Sequence, residues 1–404
     1  MTAPGPIELP IGTTGAVADR STRHADARTT PDKLAVIDAA RGWAILLVIV
    51  SHVGGLFPEL PWPVKKLTNF GWFGVQLFFV VSAYTLLASW NRDRRALPQK
   101  TTDFLIRRFF RIAPMYYLGV VLYLFLRPPG ERFSWDMLAT TMLFVNAWTP
   151  EWLAVERGTW VVVPGGWSVS VEFMFYLVFP LFALLVSSLG RALCAVLVGA
   201  VVAAVSYRFG SSHFDGTVSA EALQNFLFFW PPSQLVVFAV GAVLFHAVAR
   251  SEGSVRHAGV WMAALATLLL LIAQFHFDKF WFVDGRLPPA YFLASVVFAA
   301  LVSVQLRAAR PAWLLVNPLI CRLGEASFSA YVLHWAFLDL THRFPSVIHA
   351  DATGVHAIAA FLVALAAVTV AVYAAARATH LHFEQFFIRL GRRVGRRASG
   401  RADG

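Results

Sequence analysis

Apolar runs of roughly 16–23 residues recur along this chain, each about the length that crosses a bilayer core. The charged residues fall between them. Ten runs are readable, near 42–57, 71–90, 109–126, 167–187, 192–207, 226–247, 259–276, 289–306, 324–341 and 356–378. This pattern predicts an all-α, polytopic membrane protein of about ten transmembrane helices. The composition agrees: 58% of residues are hydrophobic and 14% charged, where a soluble domain carries about 25% charged residues.

The net charge of +11 is explained by topology rather than by nucleic-acid binding. Arg92, Arg94, Arg95, Lys100, Arg107, Arg108 and Arg111 follow the second run. Arg191, Arg250, Arg256, Arg307, Arg310 and Arg322 fall in alternate later loops, and Arg392, Arg393, Arg396 and Arg397 lie near the end. With ten spans, the positive-inside rule puts all of them, and both termini, in the cytoplasm. A bacterial inner membrane is the expected location. Residues 1–33 lack an apolar signal core and are expected to be a disordered tail, 34–390 the membrane domain, and 391–404 a basic tail. Cys194 and Cys321 have no metal-like spacing, so neither a disulfide nor a metal site is expected.

Leu138–Trp148 is too short to cross and suits a re-entrant segment. The 127–166 stretch is therefore expected outside, dipping into the membrane. Trp148, Trp152, Trp160 and Trp167 crowd it, either as an interfacial aromatic belt or as a platform for sugar rings. Trp230-Pro231-Pro232 should bend the sixth span.

Ionisable groups within spans are costly and mark candidate sites. Arg41 and His52 are eleven residues apart, about three helical turns and about 16 Å, so they share one face. Arg41 is expected at the inner surface and His52 near the bilayer middle. Ser82 and His334 reach a similar depth, with Ser327 and Tyr331 on the face of His334. Glu172 is expected nearer the outer side, with Ser168 one turn above it. His334 and Asp339 are five residues apart, about 140° out of face, and are not expected to pair.

Arg41-x10-His52, preceded by Ile37-Asp38, resembles the motif of the acyltransferase-3 family of membrane O-acyltransferases. So do Gly71-x-x-Gly74 through Ser82-Ala83-Tyr84, the basic stretch Phe104–Pro114, Trp167-Ser168-Val169-Ser170-Val171-Glu172, and Leu323-Gly324-x-x-Ser327 through His334. His382-Phe383-Glu384-Gln385 is similar to the family's last motif but lacks its proline, which leaves the tail's geometry open. Some relatives carry an esterase-like extension, and this chain is expected to be a stand-alone membrane unit.

The resemblance implies transfer of an acyl group, acetyl above all, from cytoplasmic acyl-CoA to a hydroxyl of a periplasmic or lipid-linked glycan. Arg107, Arg108 and Arg111 are expected to clamp the CoA phosphates. His52, partnered by Arg41, is the expected general base. Glu172 would orient the acceptor. Tyr331, Ser82 or Trp167 would donate to the oxyanion, and Ser168 and His334 complete the candidate site. Acylation of a secondary metabolite is the alternative within this class. A proton-coupled transporter is the alternative outside it, although no internal repeat is readable.

Overall fold

The computed structural model describes residues 18–127, 133–154, 160–251, 253–275 and 290–399, with side chains from Lys33 onward. Every regular element among them is helical. The first eight helices are α1 (Ala18–Gly55), α2 (Trp62–Phe70), α3 (Gly74–Arg92), α4 (Leu97–Leu126), α5 (Trp135–Met142), α6 (Pro150–Leu153), α7 (Gly166–Leu185) and α8 (Leu189–His213). There follow α9 (Ala220–Phe229), α10 (Pro231–Ala249), α11 (Ala258–Phe275), α12 (Ala290–Arg307), α13 (Pro318–Glu325), α14 (Ser327–His342), α15 (Gly354–Thr379) and α16 (Gln385–Ala398). A π-helical turn at His380–Glu384 joins α15 to α16.

Among the described residues, eight helical stretches are long and apolar enough to cross a membrane, and the two remaining predicted spans fall on the shorter α11 and α14. The protein is a multi-pass, all-α membrane protein. On α8, Leu197, Val201 and Val205 lie one turn apart and are all more than half exposed. Lipid solvates such a stripe as well as protein does.

Glycines set the closest helix contacts. A Cβ on Gly324 would lie 1.7 Å from the Asp38 carbonyl oxygen, which fixes α13 against α1. Small residues let membrane helices approach to this distance. At Trp230 the chain turns extended before Pro231 and divides α9 from α10, as the residue before proline is pushed out of the helical region.

Several boundaries differ from the sequence reading. The basic stretch 104–114 is not a loop but the interior of α4, which starts at Leu97 and runs through Pro114. The ninth predicted span is broken at Ala326 into α13 and α14. Of the expected disordered tail, 1–17 lies outside the described residues, whereas the backbone of 18–33 is helical and continuous with α1. Of the basic tail, 391–398 belongs to α16. No proline interrupts the π turn, so the backbone runs helically through it.

Leu138–Trp148 is not one helix. It leaves α5, turns at Phe144 with a φ of 60°, and re-forms a short 3-10 turn at Asn146–Trp148. The turn is held by α4 and α7: the Phe144 ring stacks 4.1 Å from Phe173 and 5.3 Å from Tyr116, and the Tyr117 hydroxyl donates to the Met142 carbonyl at 2.9 Å. Irregular backbone is tolerated at membrane depth where protein covers it in this way.

Candidate active site

Two cavities lie end to end along α1. The first is about 710 Å³ including its open mouth, and is lined by Arg41, Ser82, Arg108, Arg111, Glu172 and Tyr176, among others. The second is about 910 Å³ on the same measure and is lined by His52, Trp72, Arg127, Trp167, Phe229 and Trp335, among others. Val75 and Tyr331 line both, so the cavities meet at these two side chains.

In the arginine-lined cavity, Glu172 Oε1 accepts from Ser82 Oγ at 2.7 Å and from Tyr176 Oη at 2.6 Å. No hydrogen bond reaches its Oε2 among the described residues. The sequence reading placed Glu172 toward the outer side with the acceptor; the structure puts it in one cavity with Arg41, Arg108 and Arg111, because α7 carries it one turn past Ser168 into the space that α4 also lines. Arg108 has no carboxylate partner among the described residues. Its guanidinium lies 5.5 Å from the Phe104 ring and 5.7 Å from the Tyr176 ring, a cation–π arrangement that leaves its donors available. Arg111 is held by the buried Glu384 at 2.5 Å. Arg107 does not line this cavity; it pairs with Asp103 at 2.9 Å nearer the surface. Arg41 takes its place, donating to Thr85 Oγ1 at 3.3 Å.

Sequence reasoning underrated Glu384. It accepts from Ser329 Oγ at 2.7 Å and His380 Nδ1 at 3.1 Å, besides pairing with Arg111. The signal available was its place in the His382-Phe383-Glu384-Gln385 motif, since among His380, His382 and Gln385 it does not stand out as a charge in an apolar run.

His52 sits in the last turn of α1, nearer the helix end than its expected place halfway along the span. Three rings surround it: Trp335 at 4.3 Å, His334 at 5.3 Å and Trp72 at 5.8 Å between centroids. Its ring nitrogens make no hydrogen bond among the described residues. His334 is fully buried and lines neither cavity. Its Nδ1 is 2.6 Å from the Tyr331 carbonyl. A carbonyl only accepts, so this nitrogen carries the proton, and Nε2 is bare and unpartnered.

Asp339 pairs with Arg127, whose Nε is 2.6 Å away, and not with His334, as the helical spacing predicted. Of the four clustered tryptophans only Trp167 lines the aromatic cavity. Its ring stacks on Phe229 at 4.4 Å, and Phe229 stacks in turn on Trp72 at 6.1 Å. Trp160 instead donates to the Arg127 carbonyl at 2.7 Å.

Two of the three candidate oxyanion donors, Tyr331 and Ser82, are engaged. Tyr331 Oη donates to the Gly165 carbonyl at 3.0 Å and accepts from Ser168 Oγ at 2.7 Å. Ser82 donates to Glu172. Trp167 has its ring on the floor of the cavity. Gly165, at φ 75°, turns the chain into α7. A Cβ there would lie 3.1 Å from Tyr331 Oη and 3.5 Å from Trp335 Nε1, so glycine keeps this junction open. The Trp335 Nε1–H is buried with no partner, which makes it the available donor beside His52.

A base beside an unpartnered donor, backed by a cationic cavity within membrane helices, is an arrangement suited to acyl transfer from an anionic carrier. Residues 34–377 match the acyltransferase-3 family, described as an acyltransferase domain. The chain belongs to this family. It is 29% identical over 338 residues to "Acyltransferase MdmB" of Streptomyces mycarofaciens, covering 77% of this chain and 80% of that one. It is 24% identical over 337 residues to "Putative O-acetyltransferase SACOL0978" of Staphylococcus aureus (strain COL), covering 76% of this chain and 51% of the relative. The same identity holds over 340 residues for "Putative peptidoglycan O-acetyltransferase YrhL" of Bacillus subtilis (strain 168), at 76% and 48%. The chain spans about half the length of these last two relatives. No solved structure matches. As a member of the acyltransferase-3 family the protein is an enzyme.

Proposed function

We propose that the protein transfers an acetyl group from acyl-CoA, bound in the arginine-lined cavity, to a hydroxyl of a glycan or lipid-linked sugar bound in the aromatic cavity. The observation that carries this reading is the meeting of the two cavities at Val75 and Tyr331, with His52 on the acceptor side of the junction. The donor is an anion with a long uncharged arm, which suits Arg108 and Arg111 at the mouth and Ser82, Glu172 and Tyr331 further in. Glu172 Oε2 is placed to accept from an amide N–H of that arm. The acceptor presents rings and hydroxyls, which suit the Trp72–Phe229–Trp167 floor and Arg127. The acceptor named for the Bacillus relative, peptidoglycan, is of this class.

His52 takes the proton of the acceptor hydroxyl as its oxygen bonds to the thioester carbonyl carbon. Trp335 Nε1–H receives the oxyanion. Collapse breaks the C–S bond, and the imidazolium returns its proton to the CoA sulfur. One ester is made, one thioester is consumed, and His52 is restored.

The arginine-lined side faces the cytoplasm in this reading, at the inner membrane of a bacterium, with both termini inside, as the positive-inside rule demands. An acyl group then passes outward without movement of CoA. Radiolabelled acetyl-CoA given to purified protein with a glycan acceptor should yield labelled acceptor, and a folded His52→Ala protein should not. Single cysteines at Arg94 and Trp135, in a cysteine-free background, should label from opposite sides of the membrane. Turnover by His52→Ala near the wild-type rate would remove His52 from the mechanism.

A further inference from the structure

The arginine-lined cavity does not end at its mouth. Arg41, Arg108 and Arg111 also border a wider hollow, which shares Ser89, Arg107 and Arg392 with a third one bounded by the end of α3, the start of α4 and α16. The third hollow is about 1230 Å³ including open solvent. Six arginines line it, at 92, 94, 95, 107, 392 and 396, against two aspartates, 93 and 103. Both aspartates are already engaged. Arg95 reaches each at 2.5 Å, and Arg107 adds a bond to Asp103 at 2.9 Å. The bond from Arg95 holds the Asp93 carboxyl well below the usual carboxylate range, so it stays charged and paired. Arg92, Arg94, Arg392 and Arg396 have no carboxylate partner among the described residues. The hollow thus keeps a surplus of positive charge.

This surplus is assembled by one helix contact. Gly391 and Gly395 are four residues apart on α16. A Cβ on the first would lie 2.5 Å from Phe110 Cβ, and on the second 2.3 Å from Asp103 Oδ1. The pair lets α16 lie directly on α4. Arg392 and Arg396, each next to one of these glycines, are thereby brought to the same hollow as Arg107. Both lie beyond residues 34–377, which match the family.

We infer that this outer hollow binds the 3′-phosphate of the CoA nucleotide, with Arg392 and Arg396 as its ligands. The inference rests on the donor reading above and follows from the order of groups along CoA. With the thioester at Val75 and Tyr331, the uncharged arm fills the first cavity. The diphosphate then meets Arg108 and Arg111, and the 3′-phosphate, at the far end, falls to α16. Arginine suits a terminal phosphate through its paired donors. The headgroup of an anionic lipid has the same phosphate chemistry, and the test must separate the two.

The test is calorimetric binding of CoA and of 3′-dephospho-CoA to the full-length protein in nanodiscs of phosphatidylcholine alone. Wild-type protein should bind CoA about tenfold or more tighter than 3′-dephospho-CoA, the size expected for charge-assisted bonds. The double variant Arg392→Ala/Arg396→Ala should lose that advantage and bind both with the wild-type affinity for 3′-dephospho-CoA. Equal weakening of both ligands, or of neither, overturns the inference while leaving the donor reading intact. So does a difference seen only in phosphatidylglycerol nanodiscs, which assigns the arginines to lipid. Wild-type protein that binds neither form of CoA overturns the donor reading itself, and this inference with it.

Discussion

The two cavities that meet at Val75 and Tyr331 are built in different ways. The arginine-lined one is made by α1, α3, α4, α7 and α14, and some of its charged groups are tied to buried partners, as Arg111 is to Glu384. The aromatic one is made largely by helix ends and by residues within 133–154 and 160–166, among them Asn146, Leu153, Val161 and Gly165. The first is a fixed frame, and the second is a surface of rings closed by loop residues. In the proposed reading the donor occupies the former and the acceptor the latter, where loop residues can be exchanged without disturbing the span-to-span packing.

The sharpest way to break this division is at the junction. His52→Ala should lower kcat by about 10²- to 10⁴-fold, the range for loss of a general base, with the KM of both substrates little changed. A large rise in either KM with kcat preserved would make His52 a binding group of one cavity rather than the chemical link between them.

Trp335→Phe keeps the ring beside His52 but removes its donor. A fall in kcat of about 10²-fold or more is expected, the effect of losing an oxyanion donor. Wild-type kcat in this variant would return that role to Tyr331 or Ser82.

On the donor side, Arg108→Ala and Arg111→Ala should each raise the KM for acyl-CoA by roughly tenfold, without changing the acceptor KM. Arg107→Ala should do much less to the arm-binding cavity, since Arg107 is paired with Asp103 and lies outside it. Equal effects from all three would restore the clamp as read from the sequence.

The smallest effects belong to the aromatic floor. Phe229→Ala should raise the acceptor KM by severalfold, in line with about 0.5–1.5 kcal/mol for an aromatic pair, and leave the acyl-CoA KM alone. Binding affinities measured with each substrate separately would check the split. If Phe229→Ala weakens the donor as much as the acceptor, the cavities are one site.

The sequence by itself determined the class of fold and singled out several of the residues that line the arginine-lined cavity. Apolar runs of spanning length leave few architectures open, and a charge inside such a run is conspicuous because the bilayer makes it costly. His52 and Glu172 were legible for that reason, Arg41, Arg108 and Arg111 through the motifs that resemble the family's, and the failure of His334 to pair with Asp339 through helical periodicity alone. Only the tertiary structure decided which of these groups share a cavity. It put Glu172 with the arginines rather than in the aromatic cavity, put Arg41 rather than Arg107 in the arginine-lined one, and gave Arg111 its anchor in Glu384. It also found the aromatic cavity: Trp72, Phe229 and Trp335 are ordinary residues for a membrane helix, and nothing in their spacing marks them. Periodicity fixes where a side chain points on its own helix, but which helices face each other is set by close contacts such as Gly324 on Asp38 and Gly391 on Phe110. Those contacts join residues far apart in the chain.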